Sequence, residues 1–477
     1  MRIQRINAIL FLFFIFTAAI ISRLFFLQII SHKLYQSQAL GQQVGFSEVQ
    51  GSRGQIFFKD SRDSKGQIAS GEIKSLAINK KIWTLAVVPS LVTDKNIFAK
   101  EISKITGLTQ EAVALKLDGE SNYYVLKKNL SDQELLDLNK LDLKGIRLDS
   151  VLGRYYPQEN LASDIVGFLG GDGTGQYGIE GYYDNILKGK TGIQENKRGL
   201  DLIGEDTQMN LDGSDLYLTI DYNIQFEAES LLKQAKKDLD IDNGQIIVLK
   251  PDSGRVLALA DFPSFDPNNF SKENNLYIFQ NSAVQKIFEP GSVMKPFTMA
   301  IAINEGKITP ETSYVDTGMI KVGQNTIYNF GREKYGQQTM TGVLEKSINT
   351  GAVFASKTVT HETFFNYLNG FALDQKTGID LQGENYSKND ILRNGSEVGF
   401  ITASFGQGIE MTPLELARGF CVIANGGNLV KPYIVEKIIN GKDERNIKSE
   451  IIGSIISEKT AMQVTKFSIL LRIRCFG

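Results

Sequence analysis

The sequence is poor in the residues that hold disulfide-rich domains and metal sites together, because its 477 residues include only two cysteines and two histidines. Two thiols cannot supply a disulfide framework, and two histidines exclude a histidine-rich metal site. The 52 Lys and Arg residues nearly balance the 54 Asp and Glu residues, and the formal net charge of −2 gives no basic excess that would favour nucleic acid. We therefore expect ordinary hydrophobic cores and no nucleic-acid partner.

The scarcity of histidine and cysteine also restricts the catalytic chemistry. His32 lies just after an apolar N-terminal stretch, and His361 has no obvious acidic partner, so a Ser-His-Asp triad is not expected. Cys421 lies in an apolar helical run over 414–424 and is predicted to be a core residue, whereas Cys475 lies in the tail. This low cysteine content is typical of a protein that is exported from the cytoplasm.

A long apolar run occurs at the N-terminus. Residues 6–22 carry no charge and are mostly Ile, Leu, Phe and Ala, which is near the short limit for crossing a bilayer. Arg2 and Arg5 precede this run and favour an N-terminus inside the cell. We predict a membrane anchor over 1–31, with the rest of the chain outside the cytoplasmic membrane. A signal peptide cleaved near 17–19 is the alternative.

The segment Glu289-Pro-Gly-Ser-Val-Met-Lys295 carries the strongest catalytic signal. A helix that begins near its Pro-Gly pair would place Ser292 and Lys295 on one face, one turn apart. A serine needs an adjacent base to act as a nucleophile, and a lysine can be that base when its pKa is lowered. Ser-x-x-Lys also arises by chance, about once or twice in a chain of this length. The second copy, from Ser230 to Lys233, lies within an amphipathic helical pattern and is interpreted as a solvated face.

A hydroxyl and a carboxamide follow in Ser347-Ile-Asn349, between two helical patterns. Ser347 could pass a proton between Lys295 and a leaving amine. Asn349 could hold a substrate amide, because its side chain has both a donor and an acceptor. A similar triplet over 387–389 lies in a polar stretch that is predicted to be a surface loop.

In these two motifs the chain resembles the class B penicillin-binding proteins, which are membrane-anchored serine D,D-transpeptidases that cross-link peptidoglycan. The resemblance extends over nearly the whole chain, and jointly its motifs are highly specific. The further motifs are Arg53-Gly-Gln-Ile56, Arg154-Tyr-Tyr-Pro157, Val166-Gly-Phe168, Gly178-Ile-Glu180, Tyr183-Asp184, Leu218-Thr-Ile-Asp221, Ile224-Gln225, Ser404-Phe-Gly-Gln-Gly408 and Thr412-Pro-Leu414.

The resemblance implies an α/β protein built from a transmembrane helix, an elongated α+β pedestal domain and a β-lactamase-like serine transpeptidase domain. We assign the anchor to 1–31, the dimerisation-like pedestal to 32–205 and the transpeptidase domain to 206–466. Strands are predicted over 217–220, 245–249 and 256–260, and a helix over 223–236. A chain of this length is expected to hold two or three domains.

The family's third motif, Lys-Thr/Ser-Gly, is expected well after Thr412. The triplets at 190–192 and 376–378 are assigned to structural segments, and residues 457–466 resemble the family's penultimate helix. The apolar and basic tail over 467–477 matches nothing in the family. This pattern predicts a transpeptidase domain without its last strands and closing helix, with a frameshift or early end near 466.

The resemblance implies that Ser292 is the nucleophile, Lys295 its base, Ser347 a proton relay and Asn349 a binder of the donor peptide. Neither a metal nor an organic cofactor is implied. The expected partners are stem peptides, β-lactams, the membrane and membrane proteins of division or elongation, and the segments 154–192 and 404–408 favour division. The alternatives are a catalytically impaired, membrane-anchored scaffold of the cell-wall and division machinery, and a β-lactamase or β-lactam sensor.

Overall fold

The computed structural model describes residues 16–17, 20, 23–25, 46–59, 74–119, 121–141, 143–195, 211–393 and 395–474. Most of the predicted anchor over 1–31 therefore lies outside the described residues, as do His32 and Cys475. Within the described ranges, none of the helices combines the length and the apolar character needed to cross a membrane.

The strands alternate with helices along most of the chain. In chain order they are β1 (Phe46–Gln50), β2 (Ile56–Lys59), β3 (Ser75–Val87), β4 (Tyr124–Lys127), β5 (Ile146–Tyr155), β6 (Phe168–Leu169), β7 (Gly175–Gln176), β8 (Thr191–Glu195), β9 (Asp215–Asp221), β10 (Gly244–Leu249), β11 (Val256–Phe262), β12 (Ser313–Asp316), β13 (Met319–Val322), β14 (Asn325–Tyr328), β15 (Gly336–Thr339), β16 (Asn428–Val430), β17 (Val435–Asn440), β18 (Asp443–Asn446) and β19 (Ile451–Ser454).

The helices concentrate in the second half of the chain. They are α1 (Lys95–Thr106), α2 (Gln110–Leu117), α3 (Asp132–Asn139), α4 (Ser163–Val166), α5 (Gly178–Tyr182), α6 (Asp184–Leu187), α7 (Tyr222–Leu239), α8 (Ser282–Gln285), α9 (Lys295–Asn304), α10 (Met340–Glu345), α11 (Asn349–Ser356), α12 (His361–Gly370), α13 (Asp390–Arg393), α14 (Glu397–Ala403), α15 (Pro413–Ala424) and α16 (Glu458–Arg474). Short 3-10 helices include Pro89–Leu91, Pro267–Lys272, Leu276–Phe279, Gly291–Met294 and Phe330–Arg332.

The chain forms two compact units. The first comprises residues 1–54, 186–214 and 440–443, and in it β1 pairs antiparallel with β8. The second comprises residues 55–185, 215–439 and 444–477. Its largest sheet has the order β18-β17-β9-β2-β3-β4, and β5 also pairs with β3. Because β2 lies parallel to β9 and antiparallel to β3, it joins strands that are far apart in the sequence.

A buried ion pair connects two motifs of the first half of the chain. The Arg154 guanidinium at the end of β5 donates to the Glu180 carboxylate on α5 at 2.6 Å, and both side chains are almost fully buried. The Tyr156 hydroxyl donates to the same carboxylate. Since an unpaired buried charge is costly, each partner depends on the other, and the pair joins segments that lie 26 residues apart.

The largest hydrophobic core surrounds α9, the helix that follows Ser292. From Phe297 to Ile303 every residue of this helix is buried, so it is covered on all sides. Ala461 and Val464 of α16 belong to the same core. Cys421 is buried at 4% exposure, as predicted, and burial raises the pKa of its thiol to about 11.

The predicted secondary structure of the catalytic half is confirmed within a few residues at each boundary. The strands predicted from 217, 245 and 256 are β9, β10 and β11, and the helix predicted over 223–236 is α7. The Asp221 carboxylate accepts hydrogen bonds from the N–H groups of Asn223 and Ile224, which fixes the start of α7. These elements could be predicted because their period and their caps are local properties of the sequence.

Replacing Thr412 should weaken the fold by removing a helix cap. The Thr412 hydroxyl accepts a hydrogen bond from the Glu415 N–H, and the Glu415 carboxylate accepts one from the Thr412 N–H, so both orphan donors at the start of α15 are satisfied. We expect Thr412→Ala to lower the free energy of unfolding by about 1 kcal/mol, whereas Thr412→Ser retains the cap. Urea titrations of both variants check this, and equal losses would contradict it.

Candidate active site

Ser292 lies on a 3-10 turn over Gly291–Met294 that leads directly into α9. Gly291 has a φ of 61°, in the left-handed region that glycine adopts without strain. The Ser292 side chain is exposed, while Lys295, the first residue of α9, is 1% exposed. The predicted start of a helix near this point is confirmed, with a tighter first turn than an α-helix has.

The Lys295 amine brings two hydroxyl groups together. Its Nζ donates to Ser292 Oγ at 3.1 Å and to Ser347 Oγ at 3.0 Å. It also donates to the Ser347 carbonyl oxygen at 2.6 Å. The structure therefore places three of the four predicted site residues in direct contact, although Ser347 follows Lys295 by 52 residues.

Burial makes Lys295 lose its proton more easily than an exposed lysine does. Burial lowers the pKa of the Lys295 amine to about 8, because a charged amine loses its hydration in the protein interior. Within the described residues no carboxylate lies within ion-pair distance of this amine, so its partners are neutral oxygens. A buried amine with this pKa can accept a proton near neutral pH.

Ser347 is held in an unusual backbone conformation. Its φ is 54°, which a residue with a Cβ adopts only at some cost in energy. The Ser347 N–H donates to the Leu344 carbonyl at 3.1 Å, and the Ser347 carbonyl faces Lys295 Nζ. Strained conformations of this kind persist where surrounding contacts determine them, and they occur often at functional sites.

Asn349 begins α11 and contacts a neighbouring hairpin. Its Nδ2 donates to the Tyr328 carbonyl at 3.0 Å, at the end of β14. This bond uses one of the two amide hydrogens. The second amide hydrogen has no hydrogen-bond partner among the described residues, and the Oδ1 accepts no hydrogen bond from them. The site therefore contains the carboxamide that the sequence predicts, with part of its donor capacity used to hold it in place.

A buried polar network beneath Asn349 was not predicted. The Asp316 carboxylate accepts hydrogen bonds from the Thr350 hydroxyl at 2.6 Å, the Tyr335 N–H at 2.8 Å and the Asn329 amide at 3.0 Å. Asn329 Oδ1 in turn accepts from the Thr350 N–H at 3.1 Å. Burial alone would raise the pKa of Asp316, but these donors outweigh it and the pKa lies below its usual value. An ionised carboxylate thus anchors the start of α11.

The glycine-rich segment over 404–408 packs against the turn that carries Ser292. The Gly291 N–H donates to the Gly406 carbonyl at 2.9 Å, and the Thr298 hydroxyl donates to the Ser404 carbonyl at 2.7 Å. A Cβ on Gly406 would lie 2.0 Å from the Gly291 carbonyl oxygen. Only glycine permits this close approach, so Gly406 allows the segment to pack against the turn that carries Ser292.

The sequence offered signals for both supports, but their meaning depends on contacts over long sequence separations. Asp316 precedes a Thr-Gly pair, Thr350 follows Asn349 directly, and glycines recur over 404–408. Each of these is also common in ordinary turns. Their contacts with one another appear only in the folded chain, where the hairpin of β13 and β14, α11 and the turn that carries Ser292 are packed.

The remaining candidate motifs have other roles. Ser230 and Lys233 lie on α7, where Lys233 is exposed beside Glu229. The Glu384 carboxylate accepts hydrogen bonds from the Thr377 hydroxyl and N–H, which makes the triplet over 376–378 part of a closed loop. In the same loop Asp380 accepts from the Ile434 and Val435 N–H groups and from the Tyr183 hydroxyl.

The triplets at 190–192 and 387–389 also make structural contacts. Thr191 and Gly192 belong to β8 and pair with β1. The amide of Asn389 is hydrogen-bonded to the backbone of Glu410 in both directions, at 2.9 and 2.8 Å. In the part of the chain that the structure describes, no group of three or more His, Cys, Asp or Glu side chains is arranged to hold a metal ion.

Comparison with protein families matches two segments of the chain. Residues 62–218 match the penicillin-binding protein dimerisation domain, and residues 244–467 match the penicillin-binding protein transpeptidase domain. The second match contains Ser292, Lys295, Ser347 and Asn349.

Curated relatives are similar over most of the chain. It is 29% identical over 412 residues to stage V sporulation protein D of Bacillus subtilis, covering 84% of this chain and 64% of that protein. It is 28% identical over 472 residues to the peptidoglycan D,D-transpeptidase FtsI of Buchnera aphidicola, covering 96% of this chain and 78% of that protein.

A solved structure has the same fold. Penicillin-binding protein 2X of Streptococcus thermophilus superposes with a TM-score of 0.68 at 22% identity, over 89% of this chain and 66% of that one. The order of a dimerisation domain and a transpeptidase domain, the named relatives and the shared fold all agree with the motifs of the sequence. The chain belongs to the class B penicillin-binding proteins.

Proposed function

We propose that this protein is a serine D,D-transpeptidase that cross-links peptidoglycan stem peptides through an acyl-enzyme. The observation that carries the proposal is the contact of one buried amine, Lys295 Nζ, with the hydroxyls of Ser292 and Ser347. A nucleophile within hydrogen-bond distance of a base of lowered pKa is the arrangement that acyl transfer requires.

Acylation begins with attack of Ser292 Oγ on the carbonyl carbon of the penultimate D-alanine. Lys295 takes the serine proton as the C–O bond forms, and the peptide bond to the terminal D-alanine breaks. Ser347 Oγ, 3.0 Å from the same amine, passes a proton to the departing amino group. An amine of a neighbouring stem then attacks the ester, releases Ser292 and completes the cross-link. No step requires an oxidant or an external group.

Asn349 binds the donor peptide through its free amide hydrogen and its carbonyl, and the Ser292 N–H serves as one donor to the oxyanion. A carboxamide held by the Tyr328 carbonyl keeps a fixed orientation, which matters because transition-state donors act through preorganisation. β-Lactams present a carbonyl in a strained amide and acylate the same serine.

The cellular setting follows from the family. We propose a single-pass protein of the cytoplasmic membrane with anchor 1–31, pedestal 32–205 and an extracytoplasmic transpeptidase domain over 206–466. Membrane proteins of cell division are the favoured partners over those of elongation, because the segments 154–192 and 404–408 resemble the division branch.

Ser292 should be the residue that penicillin acylates. Fluorescent penicillin should label the full chain, and peptide mass mapping should place the adduct on the segment that contains Ser292. Ser292→Ala should lose the label, whereas Ser230→Ala should keep it, because Ser230 lies on α7 beside an exposed lysine. Label that persists in Ser292→Ala would contradict the assignment.

Acylation should depend on pH through Lys295. With a pKa of about 8, roughly a tenth of the amine is neutral at pH 7. Only the neutral form accepts a proton, so the acylation rate should rise about tenfold per pH unit below about 8 and level off above it. Stopped-flow rates with penicillin between about pH 6 and about pH 9 measure this. Lys376→Ala should keep the profile, and a flat profile in the parent protein would contradict the role of Lys295.

Asp316 should position the Ser347–Asn349 segment through Thr350. We expect Asp316→Asn to lower the acylation rate constant about tenfold or more, because the carboxamide cannot accept from all the donors that now face the carboxylate. Thr350→Val should have a similar effect, and Thr350→Ser, which keeps the hydroxyl, should restore the rate. Equal rates in Thr350→Val and Thr350→Ser would show that the network does not act on the site.

A further inference from the structure

An arginine at the rim of the candidate active site has no acidic partner among the described residues. The turn over 328–332 follows β14 and touches the site through the bond from Asn349 Nδ2 to the Tyr328 carbonyl. Arg332, at the end of this turn, is exposed. No carboxylate among the described residues lies within ion-pair distance of its guanidinium, although Glu333 is its neighbour in the sequence. The proton-transfer steps proposed above do not use this charge.

The turn that presents Arg332 is held by the hydrogen bonds of its interior residue, Asn329. Asn329 is 4% exposed, and its Nδ2 donates to both Asp316 oxygens and to the Glu333 carbonyl. Its Oδ1 accepts from the Thr350 N–H at 3.1 Å. The Arg332 N–H donates to the Asn329 carbonyl at 3.0 Å. The network that anchors α11 therefore also fixes the backbone that carries Arg332.

The conformation of Arg332 is unusual for an arginine. Its φ is 58°, and that of Gly331 is 63°, so two consecutive residues adopt the left-handed region. Residues other than glycine seldom adopt it, and they do so mainly where function or tight contacts require it. The guanidinium lies over the Tyr328 ring at 4.9 Å from the ring centre. Stacking on an aromatic face orients the guanidinium and leaves its N–H edge available.

We propose that Arg332 is a substrate-binding residue that recognises a side-chain carboxylate of the donor stem peptide. A guanidinium held in a fixed plane matches a carboxylate with two parallel hydrogen bonds. Because Tyr328 contacts Asn349, which binds the donor peptide, the carboxylate belongs to the part of that peptide upstream of the reacting D-alanine pair. The inference rests on the proposed transpeptidase function and names an acidic donor peptide as its preferred substrate.

Two peptides that differ in one group test the proposal. Both end in D-alanyl-D-alanine, and the residue before that pair carries a side-chain carboxylate in one and a carboxamide in the other. Titrations of the full chain carrying Ser292→Ala measure binding without turnover. We expect the carboxylate peptide to bind about tenfold more tightly, and this preference should disappear when Arg332→Gln is added.

Matched variants separate binding from folding. Lys334→Gln removes a neighbouring exposed cation and should leave the preference unchanged, whereas Arg332→Lys, which keeps the charge without the planar fork, should retain part of it. Arg332→Gln should unfold in the same cooperative thermal transition as the parent, so that a lost preference reports on binding and not on folding. An unchanged preference in Arg332→Gln, or an equal loss in Lys334→Gln, would overturn the proposal.

Failure of the proposed transpeptidase function would give a different experimental result from failure of the proposed Arg332 subsite. If penicillin did not acylate Ser292 in the parent protein, the transpeptidase assignment would fall. The binding preference in the Ser292→Ala background would still show whether Arg332 recognises the carboxylate, because that measurement does not depend on turnover. If the parent protein bound both peptides equally, the proposal that Arg332 recognises a side-chain carboxylate would be wrong.

Discussion

The Lys295 amine is the group on which the rest of the site depends. It is buried at 1% exposure, and among the described residues it contacts the Ser292 hydroxyl, the Ser347 hydroxyl and the Ser347 carbonyl. A buried ammonium without a carboxylate is costly, so the same burial that places the amine also lowers its pKa to about 8. The packing of α9 therefore also sets the chemistry of its first residue, because the helix at the centre of the core begins with the proposed base.

Two supports hold the oxygens that surround this amine. The segment over 404–408 packs glycine against Gly291 and fixes the turn that carries Ser292. The buried, ionised Asp316 carboxylate accepts hydrogen bonds from Thr350, Asn329 and Tyr335, and these bonds fix the start of α11. The two supports come from segments about ninety residues apart, and they act on opposite partners of Lys295. Catalytic geometry of this kind relies on neighbours that fix each rotamer.

The hairpin formed by β13 and β14 connects this buried network to the region where the donor peptide is proposed to bind. Asn329 belongs to the buried network, while its neighbours on either side face the site and the solvent. The position of Tyr328 and the left-handed backbone of Arg332 both depend on that buried amide. A single polar residue thus links the start of α11 to the rim where an acidic peptide is proposed to bind.

The sequence by itself determined the family, the four site residues as candidates and most of the catalytic-domain elements. Period, caps and short motifs are local, so Ser292 and Lys295 could be placed at the start of a helix and Cys421 in a core. Only the tertiary structure decided which motif copies meet. Ser347 reaches Lys295, whereas Thr377 is tied to Glu384. The Asp316 network and the glycine support were not foreseen, because their partners lie far apart in the chain and their hydrogen bonds exist only after the helices and the hairpin have packed together.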